Sequence, residues 1–229
     1  MANTFKDCHD KTLSVLKSSL PLTETDAKEY KKVKLSALIK FDIEKFDIRD
    51  FGNLCIMRYD IGLMKMLTVV LTPMKKDLPF LSLDFMIIGG TRKFYAEFYD
   101  LTEIIDDTYR SWINKYNEII KKYSSLTDFS AKGAWYDNIL TAKGYKTFKK
   151  NDDAIFINLY EELLREYTAQ INAYPVLDEA SAIAKTKKIK EYSDRLIDEG
   201  GISTDMFKKK LGAEKTRDFF DKVFFGTRK

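Results

Sequence analysis

A chain of 229 residues, 45% hydrophobic and 32% charged, has the material for one large core, and its net charge of +4 lacks the strong basic bias of a dedicated nucleic-acid binder. Its longest apolar runs, Met66 to Leu71 and Phe80 to Ile88, contain Thr68, Ser82 and Asp84 and fall far short of the roughly 20 residues of a membrane helix. Two cysteines, Cys8 and Cys55, and one histidine, His9, exclude a disulfide framework, a cysteine metal cluster and a multi-histidine metal site or triad, so no metal site is expected.

In chain order, the N-terminus shows no signal-peptide pattern, which predicts a cytoplasmic protein, and an amphipathic stretch runs up to Pro21. From Val33 to Ile43 apolar and polar residues alternate, predicting one strand with a wetter face. Four more strand-like runs follow: Leu54 to Tyr59, Met66 to Thr72, Phe80 to Ile88 and Lys93 to Tyr99. The links between these four are too short for parallel crossovers, so they predict an antiparallel meander. Asp60 with Gly62, Pro73 with Pro79, and Gly89-Gly90 supply turn chemistry. Helices are expected near Glu103 to Ser125, Ala131 to Ala142, Asp152 to Asn172, Leu177 to Asp198 and Asp205 to Phe225, with Ser130 and Asn151 as caps. The central strands are apolar on both faces and therefore need helices on both sides. The expectation is a single domain over residues 1–229, of the α+β class: a three-layer α/β/α sandwich with a central antiparallel sheet.

Asp84 is the residue that stands out, a carboxyl within Phe80-Leu81-Ser82-Leu83-Asp84-Phe85-Met86-Ile87-Ile88. Strand alternation places it on one face with Phe80, Ser82, Met86 and Ile88. An acid in such a run is either satisfied by backbone amides or an arginine such as Arg58, or held neutral by a raised pKa where it can transfer protons, and the residues alone leave both readings open. Gly89-Gly90 opens neither a dinucleotide fingerprint nor a phosphate loop. Lysines at 185, 187, 188 and 190 and at 208 to 210 form either solvated helix faces or a docking surface for an acidic protein or anionic ligand.

Three stretches carry a resemblance to a known family. Leu67-Thr68-Val69-Val70-Leu71-Thr72-Pro73 followed by Asp77-Leu78-Pro79-Phe80-Leu81-Ser82-Leu83-Asp84 resembles the signature strands of the ferredoxin-dependent bilin reductases, where a strand ending in Pro leads through Leu-Pro to the catalytic Asp. Tyr95 to Thr102 is similar to the next family strand, and Met206 to Gly212 with Phe219 to Phe225 to its closing helix. The resemblance covers about Arg49 to Thr102 and Ile202 to Phe225, and extends to the middle helices only through Trp135.

The resemblance implies reduction of an open-chain tetrapyrrole, biliverdin or a partly reduced bilin, through radical intermediates. It implies no bound cofactor, reduced ferredoxin as the electron donor and partner, and a monomer. Asp84 would be the catalytic acid, and Thr68 would occupy the place of a partner that is His in one branch and Asn in others. The family's C-terminal Asn or Asp aligns near Gly200-Gly201, leaving Glu199 or Asp198 as displaced candidates, of which Glu199 is taken as the second acid. Arg49 and Lys132 would bind the propionates, and Phe80, Met86 and Tyr95 would wall a flat tetrapyrrole. A non-catalytic tetrapyrrole carrier on the same fold is the alternative from another class.

Overall fold

The computed structural model describes residues 3–131 and 133–228, without the side chains of Ile202 and Ser203. The five strands expected between Val33 and Tyr99 belong to a nine-stranded antiparallel sheet: β1 (Leu22–Thr25), β2 (Lys32–Lys34), β3 (Lys40–Ile48), β4 (Gly52–Asp60), β5 (Met64–Pro73), β6 (Phe80–Ile88), β7 (Thr91–Tyr99), β8 (Thr127–Asp128) and β9 (Leu140–Phe148). Their order is β1-β3-β4-β5-β6-β7-β9-β8, with β2 also paired to β3. The meander from β3 to β7 follows from the short links, which leave each strand only its predecessor to pair with.

Helices cover both faces: α1 (Thr4–Ser19), α2 (Asp107–Lys122), α3 (Asp153–Ala173), α4 (Glu179–Glu199), α5 (Ile202–Leu211) and α6 (Ala213–Phe219). Period-two alternation divides the sheet residues between two cores. Leu67, Val69, Leu71, Leu81, Leu83 and Phe85 share one core with α1, α2 and α3. Met57, Met66, Val70, Phe80 and Tyr99 share the other with α4, α5 and α6. The sheet is therefore the middle layer of a three-layer α+β sandwich, as the two-sided hydrophobicity of its strands requires. Phe156 of α3 shows how the first core closes, lying 4.6 Å from the ring of Phe85, 5.0 Å from Phe94 and 4.6 Å from Phe148. Each fully buried ring of this kind contributes roughly 1.5–3 kcal/mol by leaving water.

Three expectations are corrected. The alternation from Val33 to Ile43 spans a hairpin rather than one strand: Val33 pairs with Phe41, and Ser36 Oγ accepts from the amides of Leu38 and Ile39 at 3.2 and 2.9 Å. Because Val33 and Phe41 fall on the same face, parity runs unbroken through the turn and hides it. The described residues of the segment expected as a helix over Ala131 to Ala142 instead contain a 3₁₀ turn, Asp137–Ile139, leading into β9. Ser130 therefore caps nothing. The open edge of β7 needs a partner, and β9 supplies it, with Gly144 lying so close to α2 that an added Cβ would meet Ile120 at 2.8 Å. The closing helix is interrupted at Gly212, whose φ of +82° ends α5, and after α6 it widens into a π turn at Phe220–Phe224.

The α4 lysines also form a less free cluster than their spacing suggests. Lys185 is buried, with Nζ 2.9 Å from the carbonyl oxygen of Leu101 and 3.3 Å from Asp77, and burial lowers its pKa to about 8. Lys188 pairs with Glu103 at 2.6 Å, and Lys190 with Asp194 at 2.5 Å and Asp221 at 3.3 Å.

Candidate functional site

On the face turned toward α4, register aligns one side chain from each of four strands. Thr68 of β5 pairs with Asp84 of β6, Asp84 with Tyr95 of β7, and Tyr95 with Tyr145 of β9. One step along, Ser82 pairs with Glu97. These residues form the floor of a cavity of about 230 Å³ that opens to solvent.

The walls come from three places. Phe80 and Tyr99 stack at 4.3 Å with their planes 5° apart, and Tyr192 of α4 and Phe225 lean on Phe80 at 5.3 and 5.6 Å. The C-terminal phenylalanines are held in place by buried Asn53 of β4, whose Nδ2 donates to the carbonyl oxygens of Val223 and Phe224 at 3.0 and 3.1 Å. The segment before β9 brings Tyr136 and Asp137 to the cavity. Trp135 fastens that segment to the end of α4, donating from Nε1 to the carbonyl oxygen of Gly200 at 2.9 Å, while the Arg195 guanidinium sits 4.2 Å over its ring.

Asp84 makes no contact with Arg58, which pairs with Glu44 at 3.1 Å. Its partners are hydroxyls: Thr68 Oγ1 donates to Oδ1 at 2.5 Å and Ser82 Oγ to Oδ2 at 3.0 Å. The carboxyl keeps some accessible surface because it opens on the cavity, while protein surrounds it elsewhere. Burial raises its pKa to about 6, the charge of Glu97 adds to the rise, and the hydrogen bonds from Thr68 and Ser82 offset part of it. Asp84 thus gains and loses a proton near neutral pH, the range a proton donor needs.

This raised value makes a stability prediction. The ordinary value is 3.8 and the folded value about 6, so between them the folded chain holds a proton that the unfolded chain releases. The contribution to stability is complete below about pH 4 and is lost as pH rises through 6. Thermal melts should show Asp84→Asn gaining on the parent protein by up to about 3 kcal/mol between pH 4 and pH 8. A difference that does not change with pH would mean that Asp84 ionises normally.

Of the residues singled out in the sequence, the cavity brings together Asp84, Thr68, Phe80, Met86 and Tyr95. Glu199 is not among those that line it. Its carboxylate is taken by the i−4 partner Arg195 at 2.7 Å, and its side chain is 43% exposed at the last turn of α4. Asp198 faces Arg217 in the same manner, at 2.8 Å. Arg49 lies exposed at the turn between β3 and β4, away from the cavity. Lys132 lies outside the described residues.

Sequence reasoning missed Glu97 and Tyr145. Glu97 shares strand parity with Tyr95 and could have been found that way, whereas Tyr145 falls between the expected helices Ala131 to Ala142 and Asp152 to Asn172, where no element was expected. Among the described lining residues there is no lysine, arginine or histidine, and the charged groups are the carboxyls of Asp84, Glu97 and Asp137. The described residues contain no cluster of His, Cys, Asp and Glu able to hold a metal ion, and no helix long and apolar enough to cross a membrane.

No protein-family model and no curated protein matches the sequence. The fold does recur among solved structures. It is similar to the crystal structure of phytochromobilin synthase from tomato in complex with biliverdin, with a TM-score of 0.77 and 12% sequence identity, over 97% of this chain and 83% of that one. At that identity the likeness establishes the shared α+β sandwich.

Proposed function

We propose that this protein binds an open-chain tetrapyrrole, biliverdin or a partly reduced bilin, in the cavity between β5–β9 and α4, and reduces it with electrons delivered singly by a reduced ferredoxin. The observation that carries this reading is Asp84, a carboxyl with a pKa raised to about 6 on the floor of a largely apolar cavity, between two hydroxyl donors. Its setting in a fold shared with a biliverdin-bound enzyme and the collinear motifs around it support the same substrate class. A bilin suits the chemistry of this cavity: it is flat and apolar enough for the stacked Phe80 and Tyr99, and its pyrrole and lactam N–H groups would meet carboxyl and tyrosine oxygens.

In this reading Asp84 protonates the ligand as electrons arrive, and Thr68 and Ser82 steady the carboxylate that remains. The aromatic walls keep bulk water from a ligand that carries an unpaired electron. Ferredoxin would dock on a basic surface of a monomeric protein. Lys209 and Lys210 of α5 are exposed and suited to that contact, whereas Lys208 uses its ammonium on the carbonyl oxygen of Ile197.

The test is to mix the protein anaerobically with biliverdin, add ferredoxin, its reductase and NADPH, and follow the visible spectrum. A bound-bilin band that moves with time to a product of shorter conjugation is expected. No binding would overturn the proposal, and binding without turnover would assign the cavity to a carrier.

A further inference from the structure

We infer that Lys93 and Lys149 bind the carboxylate arms of the ligand at the open end of the cavity, and so set which edge of the ligand lies over Asp84. The inference rests on the binding half of the reading above and adds the ligand's orientation to it.

Register places both cations. On the cavity face of β7, Tyr95 pairs with Asp84, Lys93 with Met86 and Thr91 with Ile88. Met86 and Tyr95 line the cavity, whereas Ile88 and its other partner Met64 are exposed, so the floor runs out to solvent along these strands. Lys93 therefore stands where the floor meets water, two residues or about 7 Å beyond the row that holds Asp84. Lys149 follows the end of β9 and reaches the same place, donating from Nζ to Thr91 Oγ1 at 3.1 Å.

Neither ammonium pairs with a carboxylate of the described residues. The Lys93 Nζ rests 5.2 Å over the ring of Phe129, which packs edge-on against Tyr95 at 5.1 Å, so the charge is held against the aromatic rim of the cavity. Asp152 accepts from the backbone amide of Lys149 at 3.3 Å and not from its ammonium. Other cations close to the site are matched within the chain: Arg195 by Glu199, Lys190 by Asp194 and Asp221, and Arg217 by Asp194 and Asp198. Two unmatched ammonium groups side by side suit an anion that arrives with the ligand.

The floor explains why that anion belongs at this end. Its charged groups among the described residues are Asp84, Glu97 and Asp137, and both oxygens of Glu97 already accept from the hydroxyls of Tyr99 and Tyr145. A ligand carboxylate over these carboxyls would meet like charge, while pyrrole and lactam N–H groups would meet acceptors. Lys143 shares the face but stands opposite Glu97, on the acidic row. A bilin carries its two propionates on its two central rings, so both leave by the same edge. Two arms then meet two lysines while the nitrogens lie over Asp84.

The experiment titrates the full-length protein with biliverdin and with its dimethyl ester, which has the same rings and no carboxylate. Lys93→Met combined with Lys149→Met should weaken biliverdin binding about five- to thirtyfold and leave the ester within about twofold of the parent protein. Lys93→Arg with Lys149→Arg keeps both charges and should bind biliverdin within about threefold. In the parent protein, salt should weaken binding of the acid and spare the ester, a readout that needs no variant to fold. Equal losses for acid and ester in the methionine variant, no loss for the acid, or an equal loss in Lys143→Met would overturn the assignment. So would a parent protein that binds acid and ester equally well at low salt. Failure of the parent protein to bind either ligand would instead sink the underlying reading, so the two failures are distinct.

Discussion

Asp84→Asn is expected to bind biliverdin within a few-fold of the parent protein and to reduce it about 10²–10⁴-fold more slowly in an anaerobic single turnover. Asparagine matches aspartate in shape, and the hydroxyls of Thr68 and Ser82, which donate to Asp84 at 2.5 and 3.0 Å, can rotate to accept from the new amide. The walls at Phe80, Tyr99, Tyr192 and Phe225 are untouched, so the apolar part of binding stays. What disappears is the carboxyl whose pKa is raised to about 6, and with it, on the proposed reading, the proton that accompanies the first electron. Turnover at the parent rate would show that Asp84 is a buried structural acid and would move the chemistry elsewhere.

The second large effect is on stability. Asp153→Ala should destabilise the fold by about 3–5 kcal/mol, because it strands a buried guanidinium. Arg92 of β7 donates from Nη2 to Asp153 Oδ2 at 3.1 Å, and its Nε lies 2.5 Å from Oδ1 as a close ion contact rather than an aligned hydrogen bond. Thr4 of α1 donates to the same carboxylate at 2.5 Å, so three elements, α1, β7 and α3, meet at one charge. For a chain of this length the loss corresponds to a fall of roughly 10 °C in melting temperature, measurable by calorimetry. Arg92→Met combined with Asp153→Leu should recover most of it, since an apolar pair of similar volume leaves no charge unpaired. A single Asp153→Ala variant melting within about 2 °C of the parent would mean that water reaches Arg92.

Local pattern made the central strands and the position of Asp84 legible before any tertiary information. Strand alternation is a property of neighbouring residues, so Phe80, Ser82, Asp84 and Met86 had to share a face once β6 was recognised. Short links likewise left an antiparallel meander as the available topology, and strands apolar on both faces required a helix layer on each side. The hairpin at Ser36 escaped because its two arms keep the same parity. The break at Gly212 escaped because apolar periodicity resumes beyond it.

What depended on contacts between distant segments could not be read locally. β9 is a strand because β7 has an edge to fill, and Tyr145 enters the cavity only through that pairing. Glu97 had visible parity with Tyr95, yet its tie to Tyr145 joins residues 48 apart in sequence. The resemblance offered Glu199 as the second acid, but the helix gave its carboxylate to Arg195, four residues earlier. Lys185 read as one of a surface run and lies buried against Asp77, 108 residues away. The sequence by itself thus determined the central strands β4 to β7, their order through the meander and the face on which an expensive acid stands, because these follow from periodicity and short loops. Only the tertiary structure decided which groups surround that acid and which charges are already paired, because those depend on where the helices and β9 pack against the sheet.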